Sequence, residues 1–354
     1  MRTISLFLLF TLGQLQSYGP YARPWQGGNH SVTSARGSTL LAWSEKDASG
    51  HARIRVVMLD SSGRAISPIR TLPALMPSRD AILPAVGTDG DSFVVVWEET
   101  LGLQHTVAIA LDHDGVAVGE PHHLTNDIPS GTVPYEAARV QWLGDSYGVR
   151  TAANASVRVG TDAAPMTTPP SAMPSAQITR TPLVGFGFSC CTYPPQHYLY
   201  SITWTSAPRS GFESIGQDAV LSEPYIAAAG ERFVVVWTTR NLVNYRFTDE
   251  PARHVVDAEV DEFSRPRVDC QSTHCVIVYA TKQSNVEGLI LTHTNPNAAP
   301  TRFIAAASAA IEREPEVTMP GDARALITWR STEADGEHLT GRPLVLPSKQ
   351  RAVR

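Results

Sequence analysis

A β-propeller, an all-β ring of four-stranded antiparallel blades, is the fold that this 354-residue sequence predicts, and three observations carry it. The run Phe93-Val94-Val95-Val96-Trp97 recurs as Phe233-Val234-Val235-Val236-Trp237, with weaker copies ending in Trp43, Tyr279 and Trp329. Each is an apolar run of strand length closed by an aromatic residue. The aromatic positions are 54 residues apart from Trp43 to Trp97, 42 from Trp237 to Tyr279 and 50 from Tyr279 to Trp329. A repeat of that length is one four-stranded blade. Finally, Leu59-Asp60-Ser61-Ser62-Gly63 and Leu111-Asp112-His113-Asp114-Gly115 follow the first two copies. Asp supplies a turn acceptor and Gly the positive φ that a tight hairpin needs.

In chain order, the first unit has a strand at Ser31-Val32-Thr33-Ser34, the run ending at Trp43, Arg53 to Leu59 and Ala65 to Ile69. The second repeats this from Leu83-Pro84 through Trp97 and Leu111 to Val118. The 140 residues between Trp97 and Trp237 are close to three periods, so two degenerate units belong there. One is read at Ala138–Thr151, and the other at Pro182–Phe188 with His197–Trp204, joined by the Pro-rich linker Ala163–Pro174. The fifth, sixth and seventh units follow from Pro224, Pro266 and Pro315. Seven blades result, or six if the weak middle is one irregular unit.

The seventh unit ends soon after its third strand. An open strand edge templates further pairing, so the arm Tyr18–Gln26 is expected to supply the outer strand of the final blade.

Residues 1–19 read as a signal peptide: Arg2, the apolar run from Ile4 to Leu12, then a polar exit. Ser17 or Gly19 would precede the cut, although Pro20 sits awkwardly after the second. The run is too short to span a bilayer, which takes roughly 20 residues. Residues 20–354 are then one domain, secreted, periplasmic or at the cell surface, and monomeric. Cys270 and Cys275 flank a turn and are expected to form a disulfide in that oxidising setting. Adjacent Cys190 and Cys191 stay open between thiols and a strained bridge.

The pattern of proline, short apolar stretch, Asp/Gly turn, Phe-Val-Val-Val-Trp and Leu-Asp-x-x-Gly resembles the blade repeat of bacterial exported β-propeller proteins. The resemblance spans about Asn29 to Leu346 and implies fold and export. It carries no activity, because propellers host many functions.

A formal net charge of −5 without a basic run argues against nucleic acid as partner. No phosphate loop, metalloprotease or nucleophile-elbow motif occurs, and no cofactor or metal is expected. The aspartates of the turns read as turn formers. His122-His123 reads as an exposed pair lacking a third spaced ligand. Binding of a protein or glycan is therefore the expected function, through the face that carries the loops leading into first strands and those between second and third strands. The rim residues are Glu45, Asp47, Arg79, Asp80, Glu98, Glu223, Arg240, Arg265, Glu314 and Arg330. The alternatives are a glycoside hydrolase or lyase using Glu45, Glu98 or Glu99, and a structural cell-surface component. In a hydrolase the separation of the carboxylates decides the chemistry.

Overall fold

A computed structural model describes residues 11–20, 30–126, 128–129, 137–151, 156–167, 175–182, 198–206, 209–215, 224–239, 242–250, 253–260, 264–295, 298–321 and 323–347. Of 175–182, 198–206 and 209–215 only the backbone is described. Two N-terminal strands, β1 (Thr11–Leu12) and β2 (Gln16–Pro20), precede the repeats.

The first sheet holds β3 (His30–Ala35), β4 (Ser38–Lys46), β5 (Ala52–Leu59) and β6 (Arg70–Thr71). The second holds β7 (Asp80–Thr88), β8 (Phe93–Leu101), β9 (Leu103–Leu111) and β10 (Ala117–His123), with β11 (Ile128–Pro129) also on β9. The third holds β12 (Arg139–Trp142), β13 (Tyr147–Arg150), β14 (Ser156–Val159) and β15 (Pro165–Met166). The fourth has three described strands, β16 (Ser175–Pro182), β17 (Tyr198–Ser206) and β18 (Arg209–Ile215). The fifth comprises β19 (Tyr225–Ala229), β20 (Arg232–Thr239), β21 (Leu242–Phe247) and β22 (His254–Glu259). The sixth comprises β23 (Arg267–Cys270), β24 (His274–Ala280), β25 (Val286–Thr292) and β26 (Thr301–Ala306). The seventh has β27 (Ile311–Gly321), β28 (Arg324–Glu333) and β29 (Gly336–Val345), to which β1 and β2 add. Six sheets thus have four or five strands and one has three, all paired antiparallel.

The second strands are the recurring apolar runs, and burial explains their composition. Phe93 through Glu99 is buried at every position, as is Phe233 through Thr239. A strand covered on both faces reads as a continuous apolar run rather than an alternation. Trp43, Trp97, Tyr279 and Trp329 are fully buried. The first strands stand side by side: β27 neighbours β3, β3 neighbours β7 and β7 neighbours β12, while β19 neighbours β23 and β23 neighbours β27. Core clusters lie between successive sheets, first against second, fifth against sixth and sixth against seventh.

Closure is by the N-terminus, with different bounds from those expected. The outer strand uses Thr11–Leu12 against Val345 and Leu344, and Gln16–Pro20 against Gly341 to His338. Tyr18, Gly19 and Pro20 of the expected arm take part, and Tyr21 to Gln26 lie outside the described residues. The fourth sheet also begins earlier than the sequence suggests. Its first strand is Ser175–Pro182, directly after the stretch read as linker, whereas 183–197 lies outside the described residues. Pro165–Met166, in that same stretch, is the edge strand of the third sheet.

The Leu-Asp-x-x-Gly turns behave as read. Asp60 Oδ1 accepts from the amides of Ser62 and Arg64, and Asp112 Oδ1 from those of Asp114 and Val116. A third copy, invisible as a motif, is Gly160-Thr161-Asp162-Ala163, where Ala163 holds φ 66° in the place of Gly63 at 78° and Gly115 at 70°. Cys270 and Cys275 face each other in register and are bonded, tying the β23–β24 hairpin. Cys190 and Cys191 lie outside the described residues.

Candidate functional site in the central channel

Register places one residue of each first strand at a common level. It is the residue opposite the one before the aromatic position: Ser31, Ala85, Arg139, Gln177, Tyr225, Arg267 and Glu316. Ser31 and Ala85 are small, and among the described side chains the polar bulk of the level comes from Arg139, Tyr225, Arg267 and Glu316 of the third, fifth, sixth and seventh sheets.

Those four side chains converge. The Arg139 and Arg267 guanidiniums each lie 4.9 Å from the centre of the Tyr225 ring. Arg267 Nε donates to Glu316 Oε1 at 2.7 Å. Each arginine gains from the negative ring face, and the gain grows where water is excluded. Burial pushes the Glu316 carboxyl upward, against the pull of Arg267 and Arg139. Burial likewise raises the Tyr225 phenol, helped by Glu316, so the phenol stays a neutral donor at physiological pH. His30, buried at the start of β3, is lowered to about 3 by burial and by Arg267 and Arg330. It is a neutral imidazole beside two cations. The cluster can offer planar guanidinium donors, an aromatic face and one carboxyl group.

Backbone strain sits at the same end of the first strands. Leu83 (φ 55°) and Glu314 (φ 54°) each precede a proline inside a bulge of β7 and β27. Left-handed conformations of non-glycine residues cost of order 1–3 kcal/mol and persist only where packing imposes them.

The rim residues read from the sequence are spread over several local networks. Arg330, with a side chain 3% exposed, bridges Glu314 at 3.2 Å and Glu337 at 2.8 Å. Glu45 takes the Trp43 indole N–H at 3.3 Å and pairs with Arg55 at 3.5 Å. Asp47 caps its turn through Ser49 and His51 and pairs with Arg53 at 3.0 Å. Asp80 accepts from the Ala52 amide at 2.9 Å and meets His51. The Arg79 guanidinium lies 2.6 Å from His105 Nδ1. Arg265 lies next to Pro266, and Glu223 and Arg240 lie outside the described residues.

Glu98 and Glu99 are neighbours on one strand, so their side chains leave opposite faces of the sheet. Glu98 accepts from Thr106 and Gln104 on one face. Glu99 accepts from the Leu75 and Met76 amides and the Trp97 indole on the other. Burial raises the Glu99 carboxyl, but its His105 contact and these hydrogen bonds outweigh burial and hold it low. The structure does not bring Glu45, Glu98 and Glu99 to one point. Among the described residues no group of three His, Cys, Asp or Glu side chains could hold a metal ion.

The rim charges read from the sequence in the loops leading into first strands precede each proline. Pro84-Ala85, Pro224-Tyr225, Pro266-Arg267 and Pro315-Glu316 show that the residue after the proline is the one at the channel level. Arg139 has no preceding proline and carried no such signal.

No protein-family model matches the chain, and no curated protein does. Solved structures do. A protein of unknown function from Dyadobacter fermentans superposes with TM-score 0.57 at 9% identity, covering 95% of this chain and 99% of that one. The β-propeller domain of the Trilobed protease of Pyrococcus furiosus gives TM-score 0.48 at 8% identity, covering 88% and 93%. The succession of antiparallel sheets described above is that of a β-propeller. A sialidase of Trypanosoma rangeli gives TM-score 0.45 at 8% identity over 89% of this chain, which spans 54% of that one. At 9% identity the Dyadobacter fermentans likeness bears on fold alone.

Proposed function

We propose that this β-propeller is an exported monomeric binding protein that holds a protein or glycan partner on the face leading into the first strands, with Arg139, Tyr225 and Arg267 as its anchor. One observation carries the reading: side chains from three sheets meet around a single aromatic ring at the level just inside that face. Sugars and side-chain planes stack on aromatic rings, and guanidiniums orient carboxylates or hydroxyls through fixed forks. The rim pairs hold the loops around the mouth, which supports a preformed surface rather than one ordered by the partner.

Immobilised wild-type chain should retain a partner from glycan arrays or surface extracts, and Arg139→Ala and Tyr225→Ala should each weaken retention at least tenfold. The Arg36–Asp91 surface pair, with both side chains more than half exposed, serves as a control. Equal retention by wild type and both variants would sink the anchor. The enzymatic alternative would rest on the buried Glu316 carboxyl. Release of sugar from a glycoside panel by wild type and not by Glu316→Gln would favour it.

A further inference from the structure

The loop leading into β7 is tied to the first two sheets by side chains that meet near His105 on β9. Glu99 accepts from the Leu75 and Met76 amides at 2.7 and 2.9 Å. Arg53 donates to the Arg79 and Pro77 carbonyls at 2.7 and 2.6 Å, and the Arg79 amide donates to the Met76 carbonyl at 3.0 Å. The loop backbone is thus fixed by bonds other than those of the Arg79 side chain. That side chain turns inward, with its guanidinium 2.6 Å from His105 Nδ1.

A guanidinium only donates. Nδ1 must therefore accept, which puts the ring proton on Nε2, and Nε2 faces Glu99 Oε2 at 3.4 Å. The side chains of His105 and Glu99 are both fully buried. Among the described residues the titratable and charged groups facing the imidazole are Glu99 on β8, Arg79 on the loop and His123 on β10. The exposed His123 ring meets His105 edge-on, with centres 4.2 Å apart.

A second proton on His105 removes the acceptor that Arg79 uses and sets two cations at hydrogen-bond distance in a buried site, where their repulsion is poorly screened. Glu99, whose hydrogen bonds outweigh burial and hold its carboxyl low, stays ionised and favours the imidazolium. His105 is held inside β9, whereas Arg79 lies on a loop and is partly exposed. The guanidinium is the group that can leave.

We propose that His105 is an acid-operated catch on Arg79: a proton taken from solvent at Nδ1 between about pH 8 and pH 5 expels the guanidinium from between the first and second sheets and presents it on the face that leads into the first strands. The consequence for a partner rests on the binding reading, because this loop belongs to the proposed face. The catch itself does not.

The test titrates the full chain, carrying isotope-labelled histidine, from about pH 8 to about pH 5 by NMR, with His105→Gln assigning the His105 ring nitrogens. The Nε2–H tautomer is expected at the alkaline end and a doubly protonated ring at the acid end. Crystals at the two ends should show the Arg79 guanidinium within about 3.2 Å of Nδ1 in the first and out of hydrogen-bond reach in the second. His105→Gln keeps a carbonyl acceptor at every pH, so Arg79 should stay inside throughout, and His123→Ala should respond as wild type does. A ring protonated on Nδ1 at the alkaline end, a guanidinium that stays on Nδ1 at the acid end, an Arg79 that still leaves in His105→Gln, or a response lost in His123→Ala overturns the catch. Neither readout contains a partner, so failure of the binding reading shows separately.

Discussion

Asp269 lies two residues beyond Arg267 on β23, and its carboxyl is lifted to about 6. Burial is the main cause, and hydrogen bonds from the Met319 and Cys270 amides and Thr318 only partly offset it. A carboxyl whose folded value lies above its unfolded one holds its proton longer in the native state. Between about pH 4 and pH 6 the folded chain therefore binds more protons than the unfolded one, and stability falls as pH rises through that window. The contribution is at most about 3 kcal/mol. Asp269→Asn should lose this slope, so urea midpoints of variant and wild type should draw apart between pH 4 and pH 7 in the variant's favour. Parallel midpoints across that range would show that the carboxyl titrates alike in both states. Glu99 works in the opposite sense: its lowered carboxyl stabilises above its ordinary range and that stability is lost as pH falls. Comparison with the Asn variant isolates Asp269 from it.

At the scale of elements, the Asp-x-x-Gly turn fixes both a hairpin and a blade-to-blade contact. A Cβ on Gly115 would stand 3.0 Å from Met58 Cγ of the preceding sheet, and one on Gly63 3.0 Å from Leu326 of the seventh. Gly115→Ala should therefore cost about 2–3 kcal/mol, combining the left-handed penalty with overpacking. Gly90→Ala, at φ 96° with open space around it, should cost only about 1–2 kcal/mol. Denaturant midpoints compare the two directly, and equal losses would show that Met58 yields without cost. The same turns explain what the sequence made legible. Where second strands are buried on both faces they appear as unbroken apolar runs, and five sheets were visible that way. The first strand of the fourth sheet, Ser175–Pro182, mixes Gln177, Thr179 and Thr181 with Ile178. It offers no apolar run, whereas the stretch after Pro182 is more apolar and reads as the strand. The candidate site is illegible in the sequence for a related reason: Arg139, Tyr225, Arg267 and Glu316 are single polar side chains on four separate strands, and only strand register aligns them. Thr11–Leu12 belongs to an apolar run in the sequence, and two residues of strand carry no periodicity that would set them apart from it.

For the whole molecule, the ring is held shut by the segment farthest in sequence from the strand it completes. Arg324–Glu333 and Gly336–Val345 have their own hairpin, but the outer edge of β29 is covered only by β1 and β2 among the described residues. A chain beginning at Tyr21 would leave the N–H and C=O groups of that edge unpaired from His338 to Val345, and would take away Tyr18, whose ring lies over Gly341 and whose hydroxyl donates to the Gly63 carbonyl at 3.0 Å. Open edges pair with other chains, so this truncation should both melt lower and form dimers or larger species in a concentration-dependent way, seen by light scattering after gel filtration. Supplying the peptide Thr11–Pro20 in trans should restore the monomer by strand addition. It must be added at about millimolar concentration, because the tether that normally raises its effective concentration is gone. A truncated chain that stays monomeric at the wild-type melting temperature would mean that the seventh sheet closes without the N-terminus. Rescue by a peptide carrying Ala at position 18 as well as by the native peptide would assign closure to backbone pairing and remove Tyr18 from it.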